Sequence, residues 1–199
     1  LHRHSSDAAL TKPLPARNGL TIGIAGTITF RKGQDLLLDA FVTARARVPD
    51  LELWIIGDAL SDEDRAFASA LRERDNGEAV HWLGFRDDMP AVLQRLDILA
   101  SPSRHEGMGR VNVEAMAAGK PVIGASRTGI AEVVVDDETG FLVDPTDTSA
   151  LAGAIERLAR DPDLRRRFGE AGRRRAREHF DQDRQLMKVL DEIRAVART

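Results

Sequence analysis

The chain has 199 residues, 42% of them apolar and 31% charged, with a formal charge of −3 at pH 7. That supplies enough apolar material for one compact core, and the near balance of charge gives no field that would draw nucleic acid, so no nucleic-acid partner is expected. The absence of cysteine excludes disulfides and thiolate metal sites, and no apolar run approaches the length of a membrane span.

Residues 1–19 are polar, carry Pro13, Pro15 and Asn18-Gly19, and are expected to form a linker or leader; a first residue of Leu1 rather than Met suggests a piece of something longer. From Leu20 onward strand-like and helix-like segments alternate. Leu20–Ala25 is an apolar, β-branched strand, and residues 34–47 carry Leu37, Leu38, Phe41 and Val42 at helical spacing before Pro49. Leu51–Ile56 is a second buried strand closed by Gly57-Asp58, Asp62–Arg74 a helix, 79–83 a strand and 89–96 a short helix. A strand over 96–101 is broken by Pro102, a helix is expected over 112–118, and a strand over 121–124 leads to a turn at Thr128-Gly129 and a strand at Gly140–Val143. Helices over 149–160 and 162–180 follow, then a final helix from about residue 182, whose stripe of Leu186, Leu190 and Ile193 needs a surface to pack against. Strands alternating with helices predict βαβ units, hence an α/β, Rossmann-like parallel sheet with helices on both faces and ligands at the carboxyl ends of its strands. Gly26-Thr27, Gly57-Asp58, Gly84-Phe85-Arg86 and residues 106–110 all fall at such ends, and are expected to line one crevice.

The segment from Glu106 to Glu114 is the most informative part of the chain, because it sets two carboxylates on either side of a glycine-rich turn that opens a helix. Gly107 and Gly109 let backbone approach a ligand, and free N–H groups of Gly109, Arg110 and Val111 would face an anion such as a diphosphate. Carboxylates cannot bind those phosphates, so Glu106 and Glu114 suit paired sugar hydroxyls. The bland alternative is a solvated turn before a surface helix. The cluster of Arg165, Arg166, Arg167, Arg173, Arg174, Arg175 and Arg177 is interrupted by Glu170 and Glu178 and reads as a solvated helix face, with weak attraction to anionic lipid headgroups as the minor reading. His105 invites a general-base role beside Glu106 but is set aside; His81, Trp54 and Trp82 read as structural. No His and carboxylate spacing points to a metal site. Pro121 after Gly119-Lys120 argues against a phosphate-binding loop, and residues 23–28 lack the Gly-x-Gly-x-x-Gly of a hydride-transferring domain.

Residues 101–109 (SPSRHEGMG) and 114–123 (EAMAAGKPVI), supported by Arg31-Lys32-Gly33, Ile56-Gly57-Asp58, Leu83-Gly84, Gly129-Ile130-Ala131-Glu132 and residues 139–143 (TGFLV), resemble the C-terminal, donor-binding domain of the family 4 (group 1) glycosyltransferases, retaining enzymes of the two-domain GT-B type. Glu106 and Glu114 match that family's E-x7-E motif. The resemblance implies that Glu106 faces the donor sugar near the reacting carbon, that Glu114 accepts the ribose hydroxyls, and that amides of Met108, Gly109, Arg110 and Val111, after Gly107, hold the sugar and diphosphate. It implies that Lys32 neutralises the leaving diphosphate, that the loop of Gly84, Phe85 and Arg86 cradles the base, and that Gly57 and Thr27 border the nucleotide. Gly26-Thr27 stands where many members have Gly-Arg, so either Arg31 or Arg110 substitutes or phosphate grip is weaker. The implied substrate is a UDP- or GDP-sugar, with no metal. The implied organisation is a leader at 1–19, a nucleotide-sugar-binding domain at 20–180, and a C-terminal helix at 181–199 packing on a missing N-terminal, acceptor-binding domain. A cytoplasmic enzyme at the inner membrane face, in weak peripheral association, is the expected setting. A non-catalytic nucleotide- or sugar-binding module, or a GT-B-type epimerase or phosphorylase, is the alternative.

Overall fold

Along every strand the apolar side chains alternate between two buried faces, the pattern of a sheet covered on both sides. In the computed structural model, which describes residues 13–75, 77 and 79–180, β1 (Leu20–Ala25) turns Ile22 and Ile24 to one face and Ala25 to the other. In β2 (Leu51–Ile56), Leu53 and Ile55 join the first face while Trp54 and Ile56 join the second. With β3 (Val80–Gly84), β4 (Ile98–Ser101), β5 (Val122–Ala125) and β6 (Gly140–Val143) they form one six-stranded sheet in the order 3-2-1-4-5-6, parallel throughout.

Helices α1 (Gln34–Arg45), α2 (Asp62–Arg74) and α6 (Thr148–Arg160) cover the first face. The second is covered by α3 (Met89–Arg95), α4 (Arg110–Ala117) and α5 (Ile130–Val133), and α7 (Pro162–His179) serves both, with Phe168 in the first core and Ala176 in the second. Local chemistry sets several helix starts. Ser61 and Asp64 form a reciprocal capping box on α2, and Asp147 and Asp161 cap α6 and α7.

The expected α/β architecture is therefore present; among the local differences in element bounds, three bear on the sheet and the site. The Leu96 N–H bonds Val92 and closes α3, so β4 begins at Ile98 rather than at residue 96. α4 begins at Arg110, two residues before the expected start, because left-handed Gly109 (φ +63°) admits the helix there. The short α5 after Gly129 was not expected.

The arginines of α7 are not simply a solvated face. Arg165 donates to the carbonyls of Leu158 and Ala159 at the end of α6, Arg173 to Ala118 at the end of α4, and Arg175 to Glu132 and Val133 at the end of α5. Helix C-termini leave carbonyls without intrahelical partners and carry partial negative charge, and these cations answer both needs. No helix among the described residues is long and apolar enough to cross a membrane. The final helix expected from about residue 182, with its apolar stripe, lies outside the described residues.

Candidate functional site

Strand order reverses between β1 and β4, and a cleft of about 520 Å³ opens at the carboxyl ends of the strands there, where open α/β sheets hold their ligands. Its walls come from turns that hydrogen bonds tie to one another. The Gly26 N–H bonds the Ile56 carbonyl at 2.9 Å, Gly57 bonds Gly84 at 2.8 Å, and Ile28 bonds the Asp58 carbonyl at 3.0 Å. The Asp58 carboxylate accepts from the Phe85 N–H at 3.1 Å, which fixes the third turn to the second. Gly57 has φ +130°, and a Cβ there would stand 2.0 Å from the Gly26 carbonyl oxygen, so no larger residue fits.

Thr27, Gly57, Phe85, Arg86, Arg110, Val111 and Glu114 line this cleft, together with Gly26, Asp58, Leu60 and Met89. Asp58 stands here with Gly57 as expected, whereas Leu60 and Met89 are not among the expected site residues. No local signal in the sequence marks Leu60 or Met89 as lining the cleft. Phe85 is 76% exposed and offers a ring face at the mouth. Arg86 is buried and grips Asp88 with two hydrogen bonds, at 2.7 and 2.6 Å. Those bonds hold the Asp88 carboxyl below its ordinary pKa.

Glu106 and Gly107 do not line the same cavity. They border an adjoining concavity of about 370 Å³ with Arg31, Arg104, His105, Arg127 and Thr128, so the expected single crevice is two neighbouring recesses. Lys32 stands between them: its Nζ pairs with Glu106 Oε2, and a Cβ on Gly26 would lie 3.5 Å from that nitrogen. Both side chains are largely shielded, at 17% and 13% exposed. Arg31 donates to the His105 carbonyl at 2.9 Å and lies 3.9 Å from Glu106 Oε1. Of the two arginines weighed as substitutes at the Gly26-Thr27 position, Arg110 borders the main cleft and Arg31 the second recess. Arg110 reaches Glu114 at 3.3 Å across one helical turn.

The loop between the carboxylates is set by close backbone packing. Gly129 donates its N–H to the Glu106 carbonyl at 3.1 Å, and a Cβ on Gly129 would meet Gly107 at 2.7 Å. Met108 is 45% exposed on this loop. Fully buried Asn112 lies under it, with Nδ2 3.5 Å from the Met108 carbonyl and, among the described residues, no hydrogen-bond partner for Oδ1. Gln34, also buried, donates to the Thr27 carbonyl at 3.0 Å and steadies the first turn. A helix N-terminus, a shielded cation and two carboxylates thus surround adjoining recesses, an arrangement able to take an anion and several hydroxyls in one ligand.

The model of the family described as "Glycosyl transferases group 1" matches residues 8–175. A GDP-mannose-dependent alpha-(1-6)-phosphatidylinositol monomannoside mannosyltransferase of Mycolicibacterium smegmatis is 37% identical over 155 residues, covering 72% of this chain and 39% of that protein. Alpha-maltose-1-phosphate synthase of the same organism is 33% identical over 192 residues, covering 88% and 48%. The crystal structure of Anabaena HepE in complex with UDP superposes with a TM-score of 0.81 at 29% identity, over 88% of this chain and 49% of that one. A crystallised C-terminal domain of the group 1 protein LpcC from Francisella tularensis superposes with a TM-score of 0.72 at 25% identity, over 88% of this chain and 98% of that domain. The chain spans about half the length of the curated relatives it matches. With a match over most of its length and a GT-B sheet to carry the site, the chain belongs to the group 1 glycosyltransferase family.

Proposed function

We propose that this chain is the donor-binding half of a retaining glycosyltransferase and holds a nucleoside-diphosphate sugar across the two recesses. The observation that carries the reading is the position of Lys32, a shielded ammonium paired with Glu106 at the boundary between a nucleotide-sized cleft and a smaller polar recess. In this arrangement the base and ribose occupy the larger cleft, where Phe85 offers an apolar face and Glu114 accepts from the ribose hydroxyls. The diphosphate lies between Lys32 and the amides that open α4 at Gly109, Arg110 and Val111. The sugar then reaches toward Glu106 and Gly107.

Lys32 and Glu106 neutralise each other, which spares the shielded recess an unpaired charge. A diphosphate takes over as the partner of Lys32 and releases the Glu106 carboxylate to accept from sugar hydroxyls. During transfer, negative charge grows on the departing diphosphate, and a preplaced ammonium and helix N-terminus stabilise it. The reading needs no metal, and UDP- and GDP-sugars are the donors it favours. HepE, whose crystals hold UDP and UDP-glucose, supports the ligand class by similarity. We also propose a cytoplasmic setting for the intact enzyme, in weak peripheral contact with the inner membrane face. Calorimetric titration of the chain with UDP, GDP and ADP, each beside its nucleoside, tests the reading. At least one diphosphate is expected to bind well above its nucleoside, and equal affinity for nucleoside and diphosphate throughout would refute it.

A further inference from the structure

The turn that presents Lys32 is poorly anchored by apolar packing. Thr29 caps a single 3-10 turn at Phe30–Lys32 in which no residue is buried, and although Phe30 meets Phe67 edge-on at 6.1 Å between ring centroids, it remains 60% exposed. A polar clamp from far along the chain holds the turn instead. The Arg104 N–H bonds the Arg31 carbonyl at 2.8 Å, and Arg104 Nη1 bonds the Phe30 carbonyl at 2.7 Å. The same guanidinium grips Asp35 at the start of α1 through both carboxylate oxygens, at 2.9 and 2.7 Å, and lies 3.8 Å from the Phe30 ring centroid. Arg31 returns the contact by donating to His105. Gly33 (φ +77°) allows the two segments to touch, since a Cβ there would stand 2.3 Å from the Pro102 carbonyl oxygen.

We propose that Arg104, braced by Asp35, is a positioning residue that fixes the Arg31-Lys32 turn against the Glu106 loop and so sets where the Lys32 ammonium meets the diphosphate. The proposal rests on the nucleotide-sugar reading above. Asp35 already neutralises Arg104, and both side chains are under 20% exposed, so the guanidinium is committed to geometry rather than to phosphate. Lys32 is a point charge on a flexible stem, and its placement is decided by the backbone that carries it. A planar fork meeting a carboxylate, a carbonyl and a ring face together is a task lysine cannot perform.

The test combines nucleotide affinity with amide hydrogen exchange on the 199-residue chain, comparing Arg104→Ala, Arg104→Lys and Asp35→Asn with Lys32→Ala. Arg104→Ala is expected to lower UDP or GDP affinity about tenfold, with uridine or guanosine affinity unchanged. Arg104→Lys should fall close to it. In a Lys32→Ala background the same change should cost less than about twofold further, because the clamp acts through Lys32. Exchange of the Arg31 and Lys32 amides should quicken in Arg104→Ala while the amides of β1 and β2 stay protected, a readout that needs no nucleotide. Faster exchange without loss of affinity would overturn the link to the diphosphate, and unchanged exchange would overturn the clamp itself. Failure of the unmodified chain to bind either diphosphate would instead remove the underlying reading, and the assignment with it. Should Arg104→Ala not fold, Asp35→Asn keeps the guanidinium and weakens its brace, and the same outcomes decide.

Discussion

Glu114 stands on the wall of the larger cleft with its side chain 39% exposed, answered by Arg110 at 3.3 Å. An exposed i, i+4 pair contributes at most about 0.5 kcal/mol to folding, so the carboxylate can be removed with the fold intact. Glu114→Ala is therefore expected to leave Tm nearly unchanged and to weaken UDP or GDP binding by about 1.5 to 3 kcal/mol, the range for hydrogen bonds to a charged group. Unchanged affinity by calorimetry would take Glu114 out of the site. Gly109 makes the opposite demand. It sits at φ +63°, and a Cβ there would lie 2.5 Å from Asn112 Nδ2, inside contact distance of a fully buried side chain. Gly109→Ala should destabilise the fold by about 1 to 2 kcal/mol from backbone strain alone, and should also blunt diphosphate binding by turning the amides that open α4. Thermal and calorimetric measurements on one sample separate the two effects, and a variant that keeps both stability and affinity would show that this turn tolerates a side chain.

Elements whose signals are local were legible in the sequence: β1, β2, α2 and β6 begin and end where their apolar runs and capping residues require. The Glu106 to Glu114 segment was legible as strand, turn and helix for the same reason. Elements set by distant partners were not. β4 starts at Ile98 because Leu96, already within the helix expected over 89–96, closes α3, and because Asp97 bonds Thr21, 76 residues away, a pairing no local pattern announces. The Arg104 to Asp35 clamp joins residues 69 apart, and the α7 arginines look solvated until the carbonyls they meet are known. That reassignment can be measured. Arg175 donates to the Val133 carbonyl at 2.7 Å and to Glu132 at 2.8 Å, whereas Arg167 is exposed on the same helix. Arg175→Ala should cost about 1 to 2 kcal/mol, a fall in Tm of a few degrees, while Arg167→Ala stays within about 0.5 kcal/mol. Equal effects of the two substitutions would return the arginines to the role of a solvated face.

At the scale of the whole molecule, both recesses open at the carboxyl ends of the strands, where Phe30, Leu60, Phe85 and Met108 are all exposed, and the chain spans about half the length of its relatives. On the proposed reading a second body, carrying the acceptor, closes over this face, since transfer requires donor and acceptor to be held together away from water. The described half should then bind nucleotide alone yet move no sugar. In a form that also contains the acceptor domain, Glu106→Gln gives the sharpest separation of binding from chemistry. The Glu106 carboxylate, paired with Lys32, competes with the diphosphate for that cation, so a neutral amide at that position should leave donor affinity unchanged or raise it. Turnover should nevertheless fall by about 100-fold or more, because the carboxylate facing the reacting sugar has gone. Labelled-sugar transfer measured beside nucleotide affinity checks both halves of this expectation. A variant that loses affinity and rate in equal proportion would move Glu106 from the reacting sugar to the nucleotide, and acceptor-dependent transfer by the 199 residues alone would place an acceptor site within this sheet.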